Sequence, residues 1–457
     1  MARPHIVIVG AGFGGLTLVK ALRNANVAIT LIDKTNHHLF QPLLYQVAMG
    51  GLSPADIAVP IRSILRNQSN VDVLLDEVTA VDRERRVVHL HSGQKVPYSY
   101  LVLAPGTGPG YFGKNEWSRW APGLKTLTDA MQIREHMLMS FEQAAHLPTV
   151  EERRKYLTFV VVGGGPTGVE TAGAIAEIGR KTMAYDYRLQ YKDEVKVYLI
   201  EAGDRILSSY HRDLSDTAAK DLRQIGVQLL LNTRVERLEA NRVWAGQREI
   251  ETVNIIWAAG NEASPLLKTL NTPLDPQGRA IVNPDCSLPN DPTVFVIGDA
   301  AHFQDAKGNT LPGVAQTAIQ QANYVAKVIA EQRSPEWRNP FVYFDKGNMA
   351  TIGRARAIVE AGPLRVSGFL AWAMWCFLHV FYLIGFRNRL RVMLEWIWFY
   401  FTFQPGARVI YWRQGGKVFD RIGEARAGDT PTPPPSPGEV MNAETEYLAT
   451  ATPLESR

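Results

Sequence analysis

Two stretches of the chain repeat one pattern, in which an apolar run leads into a glycine cluster and then into helically spaced apolar residues. Residues 5–9 are apolar and β-branched, and helical spacing over residues 16–22 leads to a second apolar run at 28–33. The same order returns over residues 157–201. Short apolar runs bounded by glycine predict buried strands. Each stretch therefore predicts a βαβ unit, and their duplication predicts an α/β fold with two Rossmann-like, parallel-sheet nucleotide-binding domains.

The rest of the chain completes this plan. Residues 100–107 and 253–260 are strand-like runs that exit through glycine, and residues 293–301 form another buried run. A helical pattern over 314–332 closes the core, and a polar, partly helical connector covers 115–156. The predicted organisation is a first dinucleotide-binding domain in two parts, 1–112 and 271–345, a second dinucleotide-binding domain at 113–270, an aromatic C-terminal region at 346–424 and a disordered, proline-rich tail at 425–457.

Composition excludes several classes of protein. A chain of 457 residues with 46% hydrophobic and 21% charged residues is globular and holds more than one domain. The net charge of +4 is too small for a nucleic-acid binder. Only Cys286 and Cys376 are present, far apart, so a disulfide scaffold, a redox-active dithiol and a cysteine metal site are not expected. The first residues lack an export-signal pattern, which predicts a catalytic part in the cytoplasm.

The first glycine cluster fits the G-x-G-x-x-G pattern at Gly10, Gly12 and Gly15. The first glycine permits the tight turn, the second lets a pyrophosphate approach, and the third lets helix and strand pack closely. The phosphates then lie at the positive end of the helix. Asp33 follows Gly10 by 23 residues, at the end of the next strand, where it is placed to bind ribose hydroxyls.

The second cluster places Gly163, Gly165 and Gly168 in the same spacing, with Glu201 as its acid. This acid follows Gly163 by 38 residues, well beyond the usual ~20, and a longer crossover helix accounts for the difference. A carboxylate accepts hydrogen bonds from the ribose 2′- and 3′-hydroxyls and repels a 2′-phosphate, which predicts NADH over NADPH. Two dinucleotide sites in one chain predict electron transfer between a resident FAD and a visiting nicotinamide.

These motifs together resemble those of a known family. The segments IVGAGFGGL, HLFQPLLYQVA, VVGGGPTGVE, WAAG, IGDAA and AQTAIQQ occur in the order found in type II NADH:quinone oxidoreductases, the single-chain, non-proton-pumping NADH dehydrogenases, and the resemblance covers roughly residues 5–412. It implies hydride transfer from nicotinamide C4 to flavin N5 and then reduction of a membrane quinone, ubiquinone or menaquinone. A homodimer is the expected assembly, although the sequence does not reveal the oligomeric state.

The resemblance assigns roles to residues of this sequence. Glu170 would lie beside the nicotinamide and flavin rings, in the first turn of its helix, where the dipole stabilises a carboxylate. Thr317 stands where many relatives have glutamine, which leaves the choice of quinone open. The residues that would bind FAD are Gly10, Gly12, Gly14, Gly15, Asp33, Gln46, Gly106, Asp299 and Gln316. The residues that would bind NADH are Gly163, Gly165, Gly168, Glu170, Glu201 and Gly260. The quinone pocket would be lined by Gln316, Gln320 and Gln46. An ordinary core-capping role competes for Gln320.

The C-terminal region is aromatic and basic. Residues 368–386 carry no formal charge and could span a bilayer by length. The next segment instead places Leu390, Leu394 and Phe401 on one helical face, which is typical of an interfacial helix. Ten Lys/Arg against three acids over residues 354–421 favour docking on an anionic leaflet. Peripheral attachment to the cytoplasmic face of the cell membrane is predicted, with a true span or a buried dimer interface as alternatives.

Other functions compete with this interpretation. A disulfide reductase or a sulfide:quinone oxidoreductase would need reactive cysteines beside the flavin, and the sequence lacks a suitable pair. An FAD- and NADH-dependent oxidoreductase with a non-quinone acceptor fits the same glycine turns. So does a flavin-binding regulatory protein that uses NADH as a conformational signal, and turnover would separate it from an enzyme.

Overall fold

The first parallel sheet combines strands from two separate parts of the chain, residues 1–112 and 271–345, which together form the domain predicted to bind FAD. In the computed structural model, which describes residues 3–187, 194–402 and 406–410, six strands pair in the order β20-β21-β9-β1-β2-β5. All neighbours are parallel except β20 and β21. The strands are β1 (His5–Val9), β2 (Ala28–Asp33), β5 (Val71–Leu75), β9 (Tyr100–Leu103), β20 (Ser287–Leu288) and β21 (Asp291–Val296). Helix α1 (Phe13–Ala21) joins β1 to β2 and packs against α10 (Ala315–Ala330).

The second parallel sheet repeats the arrangement on a smaller scale. Its four strands pair in the order β13-β12-β11-β17, all parallel. They are β11 (Thr158–Val162), β12 (Lys196–Ile200), β13 (Val227–Leu230) and β17 (Asn254–Trp257). Every residue of β11 is buried, as expected for a parallel strand covered on both faces. The predicted α/β fold with two parallel sheets is therefore confirmed.

Smaller elements surround the two sheets. Three antiparallel sheets consist of β6 (Val78–Asp82), β7 (Val87–Leu90) and β8 (Lys95–Pro97); β14 (Val235–Glu239), β15 (Arg242–Ala245) and β16 (Arg248–Glu251); and β23 (Asn348–Gly353), β24 (Arg356–Ala361) and β25 (Leu364–Gly368). Three strand pairs are β3 (His37–Leu39) with β4 (Ala58–Pro60), β10 (Thr107–Pro109) with β18 (Asn261–Ala263), and β19 (Ala280–Ile281) with β22 (Ala301–His302). The pair of β10 and β18 links the segments that leave β9 and β17.

The remaining helices pack around these sheets. They are α2 (Leu44–Ala48), α3 (Pro54–Ile57), α4 (Ile61–Leu65), α5 (Leu127–Ala145), α6 (Val150–Leu157), α7 (Pro166–Glu177), α8 (Ala184–Asp186), α9 (Arg212–Gln224), α11 (Phe369–Tyr382) and α12 (Phe386–Thr402). Helix α7 begins with Pro166, which suits a first helical position because its missing N–H has no partner there. A π-helical turn, Ile178–Met183, joins α7 to α8 and lengthens the crossover between β11 and β12, as the late position of Glu201 predicts.

The C-terminal region differs from its prediction. Residues 348–368 form the three-stranded sheet of β23, β24 and β25, which packs against α7 and α9 and which the apolar pattern did not reveal. In the uncharged run over 368–386, α11 ends at Tyr382, and Gly385 (φ +90°) separates it from α12, which begins at Phe386. Within the described ranges, the helices are too short or too polar to cross a membrane. The predicted tail at 425–457 lies outside the described residues.

Candidate functional site

The first glycine turn is constrained by its contacts with the backbone. A Cβ on Gly10 would lie 2.3 Å from the carbonyl oxygen of Ala104, and Gly10 has φ +95°. A Cβ on Gly15 would lie 1.8 Å from the carbonyl oxygen of Gly10. At Gly12, by contrast, a Cβ would have no described atom within 4 Å. Two glycines therefore make the turn possible, while Gly12 borders open space at the N-terminus of α1 where a phosphate can approach. A Cβ on Gly14 would lie 3.2 Å from the side chain of Ile297.

The acid at the end of β2 holds the turn in place. Asp33 accepts a hydrogen bond from the backbone amide of Ala11 at 2.6 Å. Its second oxygen accepts from the backbone amide and the hydroxyl of Thr35, both at 2.7 Å. The carboxylate is partly exposed and borders the turn.

The second glycine turn repeats these contacts. Gly163 has φ +109°, and a Cβ there would lie 2.7 Å from the carbonyl of Ala258, which follows β17 as Ala104 follows β9. A Cβ on Gly168 would lie 1.8 Å from the carbonyl oxygen of Gly163. A Cβ on Gly165 would face open space, with every described neighbour beyond 4 Å. The duplication seen in the sequence therefore extends to the spacing of individual atoms.

Glu201 occupies the position that Asp33 has in the first unit. It accepts hydrogen bonds from the backbone amides of Gly164 at 2.6 Å and Gly203 at 2.7 Å. Gly260 (φ +73°) follows β17, and a Cβ there would lie 2.7 Å from the carbonyl oxygen of Gly110. Arg205 donates to the backbone carbonyl of Ser208 at 2.8 Å.

Asp299 and Gly106 lie near the carboxyl ends of β21 and β9. Asp299 accepts a weak hydrogen bond from the Thr107 hydroxyl at 3.4 Å. Gly106 has φ +69°, and a Cβ at this position would have no atom of the described residues within 4 Å. Because neighbouring parallel strands end at the same edge of a sheet, the structure brings Asp299 and Gly106 to the edge that carries the first glycine turn.

Helix α10 carries three glutamines with different surroundings. The buried side-chain oxygen of Gln316 has no hydrogen-bond partner among the described residues. Gln320 makes two hydrogen bonds to the backbone of Phe344, donating at 2.9 Å and accepting at 3.0 Å. Gln321, fully buried, accepts from the backbone amide of Gly298 at 2.7 Å and so braces the turn before Asp299. The sequence analysis did not single out Gln321, and its position in the AQTAIQQ motif was the only feature of the sequence that could have indicated a role.

A deep cleft lies beside α7 and beneath the two C-terminal helices. It encloses about 730 Å³, including its open mouth. Its walls come from α2, α7, the end of β23, α11 and α12. The described lining residues are Tyr45, Gln46, Met49, Gly51, Glu170, Ala174, Glu177, Ile178, Thr351, Gly353, Arg354, Trp372, Trp375, Cys376, Trp396, Phe399 and Tyr400. Six of these seventeen residues are aromatic and the lining is mostly apolar, so this cavity is called the aromatic cleft below.

The polar groups of the cleft are held in defined positions. The Trp396 indole donates to the side-chain oxygen of Gln46 at 2.7 Å, and the Gln46 amide donates to the Tyr45 hydroxyl at 2.9 Å. The structure thus brings Gln46 and Glu170 into one cavity. The other two predicted pocket residues, Gln316 and Gln320, are not in its described lining.

Glu170 is the strongly shifted acid of the cleft. Burial raises the pKa of Glu170 to about 8, because a dry environment disfavours the charged form. A hydrogen bond from the backbone amide of Thr351 at 3.3 Å and the nearby indole of Trp375 offset only part of this effect. The expectation of a first-turn carboxylate stabilised by the helix dipole is wrong. Helix α7 begins at Pro166, has no acid in its first turn, and leads Glu170 into the cleft wall.

The C-terminal helices present an apolar surface. On α11, Phe369, Leu370, Phe377 and Phe381 are exposed, and on α12 the exposed residues are Phe386, Leu390, Met393, Leu394, Ile397, Trp398 and Phe401. Single exposed apolar residues are common in proteins, but this many on two successive helices indicate an interaction surface. The predicted face of α12 is therefore exposed.

Comparison with known proteins places the chain in a family. The model of the pyridine nucleotide-disulphide oxidoreductases matches residues 4–322. The type II NADH:quinone oxidoreductase Ndh of Mycobacterium tuberculosis is 42% identical over 409 residues, covering 86% of this chain and 87% of that protein. NdhA of the same organism is 43% identical over 411 residues and covers 86% of each.

Solved structures agree on the fold. NDH2 from Plasmodium falciparum in complex with NADH superposes with a TM-score of 0.80 at 21% identity, covering 90% of this chain and 100% of that chain. The sulfide:quinone oxidoreductase from Aquifex aeolicus superposes with a TM-score of 0.68 at 19% identity, covering 85% of this chain and 92% of that chain. The resemblance inferred from the motifs is confirmed by the family model and by relatives above 40% identity. The chain belongs to the type II NADH:quinone oxidoreductases, within the pyridine nucleotide-disulphide oxidoreductase family.

Proposed function

We propose that this protein is an FAD-dependent NADH:quinone oxidoreductase that does not pump protons. One observation carries the proposal: α7 begins at the second glycine turn, and Glu170 on the same helix lines the aromatic cleft. A single rigid element therefore joins the place where a nicotinamide dinucleotide would bind to the place where an apolar acceptor would enter. The relatives Ndh and NdhA carry the same activity in their names.

The first glycine turn fits FAD. Open space at Gly12 accommodates a pyrophosphate, and Asp33 lies where ribose hydroxyls would reach its carboxylate. Gln316, whose buried oxygen lacks a partner in the described chain, and Asp299 would serve the flavin end, and Gly106 leaves room for the cofactor. Gly14 instead lets α1 pack closely against Ile297. Once bound, FAD supplies the chemistry, accepting a hydride from NADH and passing two electrons to a quinone.

The second turn fits NADH. Gly165 leaves space for the pyrophosphate, and Gly163, Gly168 and Gly260 keep the backbone close enough for the site to form. Glu201 presents a carboxylate to the adenosine ribose and disfavours a 2′-phosphate. Arg205, the nearest candidate to neutralise such a phosphate, is engaged with the backbone of Ser208. These residues support a preference for NADH.

The aromatic cleft fits the ring of a membrane quinone. Gln46, positioned by Trp396, offers a polar group to a quinone carbonyl, and Glu170 offers a proton. Gln320 is better explained as a residue that positions the Phe344 segment, because both ends of its amide are bonded to that backbone. Ubiquinone and menaquinone both belong to this ligand class.

The exposed apolar face of α11 and α12 suits attachment to the cytoplasmic face of a membrane. Such a face, flanked by arginines, inserts between lipid headgroups, while basic side chains contact anionic lipids. The acceptor cleft lies directly beneath these helices, so an apolar quinone could enter it from the lipid. The domain borders given above and a homodimer also belong to the proposal.

One series of spectra tests the proposed activity. Anaerobic NADH should bleach the flavin band of the purified yellow protein, and a soluble quinone should restore it. NADPH at the same concentration should bleach the band more slowly. A colourless protein would contradict the proposal, and a bleached band that only a non-quinone acceptor restores would favour the alternative oxidoreductase. Bleaching without turnover on any acceptor would favour the regulatory protein.

A further inference from the structure

Quinone reduction by NADH needs a proton from water, and this inference rests on the proposed function. In the balanced reaction, NADH + H⁺ + quinone gives NAD⁺ + quinol. The hydride supplies two electrons and one of the two protons that the quinol carries. The second proton must enter a cleft whose described lining is largely apolar. An ionisable side chain at the wall of the cleft could provide that entry.

Glu177 lies on the same wall as Glu170. It is the last residue of α7, seven positions after Glu170, so the two side chains share one face of the helix and are roughly 10 Å apart along its axis. Both carboxyls line the cleft. Glu177 is 9% exposed. The cleft that both acids line has room for water molecules.

The backbone around Glu177 is built to hold this carboxyl. The π-helical turn begins at the next residue, Ile178, and such turns frequently mark functional positions. The backbone amide of Arg354 donates to Glu177 at 2.9 Å. A Cβ on Gly353 would lie 2.9 Å from the same carboxylate oxygen, so the absence of a side chain there permits the approach. Two separate elements therefore converge on one acid.

Glu177 lines the cleft and also lies near basic side chains, which form the arginine-bearing rim of the cleft. Burial raises the pKa of Glu177, and the hydrogen bond from Arg354 and the charges of Lys181, Arg354 and Arg356 lower it in part. The side chain of Arg356 is about one third exposed and pairs with Asp221 at 3.2 Å. The other titratable groups that line the cleft with Glu177 are Glu170 on α7, Tyr45 on α2, Cys376 on α11 and Tyr400 on α12.

We propose that Glu177 is the proton-entry residue of the cleft, taking a proton from water at the arginine-bearing rim and passing it through the cavity to Glu170 and the reduced quinone. Glu177 releases this proton as a carboxylic acid and regains it from solvent, so it ends each turnover unchanged. The residue acts through Glu170 and is not itself a contact of the reacting rings.

The isosteric variant E177Q tests this role, because its amide oxygen can still accept the Arg354 hydrogen bond. We expect quinone turnover to fall about tenfold or more between pH 6 and 9. Ferricyanide turnover and anaerobic bleaching by NADH should be unchanged, because these reactions consume no proton. E177D should retain much of the quinone turnover, and formate should partly rescue E177Q. The matched control is E151Q, which changes an exposed glutamate on α6.

Each outcome bears on the proposal. Wild-type quinone turnover in E177Q, or equal losses in E177Q and E177D without formate rescue, would overturn it. If E177Q loses its flavin, the test compares E177D with E177N, because these side chains are equal in size and only the aspartate ionises. Identical quinone turnover in E177D and E177N would overturn the proposed role of Glu177. Failure of NADH to bleach the wild-type flavin would instead refute the proposed function, so the two failures are distinguishable.

Discussion

Glu170 is a carboxyl that burial keeps protonated at neutral pH. Its pKa of about 8 lies above the ordinary value near 4.5, and the cause is the loss of water around the charged form. A protonated acid can give a proton to a reduced quinone, whereas a carboxylate cannot. Removing the ionisable group should therefore affect proton delivery more than hydride transfer.

The variant E170Q should lower quinone turnover on the order of 10²-fold. The wild-type rate should fall as pH rises through about 8, because the acid loses its proton, and E170Q should lack that fall. The measurement is quinone turnover from pH 6 to 9, with ferricyanide as the proton-independent control. An unchanged rate, or the same pH profile in E170Q, would remove Glu170 from the mechanism.

The same residue links pH to stability. Since its pKa is higher in the folded than in the unfolded chain, the folded state holds an extra proton between the two values, and stability falls as pH rises through that window. E170Q does not titrate. Its melting temperature relative to wild type should therefore be higher at pH 9 than at pH 6, and a difference that does not depend on pH would contradict the burial of the acid.

At the scale of elements, one strand–turn–helix unit is used twice. In both units the first and last glycines avoid a clash with backbone, while the middle glycine faces open space. In both units the acid after the second strand bonds the amide that follows the first glycine, at 2.6 Å. Because the geometry is the same, the two sites should respond in the same way to the same substitution.

A matched pair of alanine variants tests the assignment of the two turns. G12A should fold but lose FAD during purification, because its methyl group would fill the space for the pyrophosphate. G165A should retain FAD, with the KM for NADH raised about tenfold or more. Flavin absorbance and steady-state kinetics measure both effects, and each variant is the control for the other. Loss of FAD in G165A with retention in G12A would reverse the assignment.

For the whole molecule, function depends on surfaces that meet only after folding. Helix α7 runs from the second glycine turn to the cleft, α2 brings in Gln46 from the N-terminal part of the chain, and α11 and α12 supply the aromatic wall. The outer side of these two helices is apolar and exposed. The proposed path of electrons therefore runs from an aqueous nucleotide, through the flavin, to an acceptor that arrives from lipid.

Membrane attachment is tested by charging the exposed face of α12. The double variant L394E/I397E should bind vesicles of anionic lipid at least tenfold more weakly, since inserting one leucine contributes about 1.5–3 kcal/mol. Ferricyanide turnover should be retained. The control is L75E, because Leu75 on β5 is 59% exposed and Leu394 is 54% exposed. Unchanged vesicle binding in L394E/I397E, or an equal loss in L75E, would reject this face as the attachment surface.

Features that depend on local order along the chain could be predicted without a structure. Apolar runs and glycine spacing identified β1, β2, β11 and β12 together with both turns, because a glycine required by a tight turn is visible without knowing its neighbours. The acids Asp33 and Glu201 followed from their position after a strand. The order of the motifs also identified the family, and the comparisons confirm it.

The cleft and its chemistry could not be predicted in this way, because they form from segments that are distant along the chain. The raised pKa of Glu170 depends on burial by α11 and β23, which are about 180 or more residues away in sequence. Gln46 lies 350 residues from Trp396, its hydrogen-bond partner, so no local pattern could pair them. The sequence analysis did not single out Glu177, because only the folded chain brings it into one cavity with Glu170. Local conformation follows from local sequence, whereas desolvation and shared walls arise only when distant segments pack together.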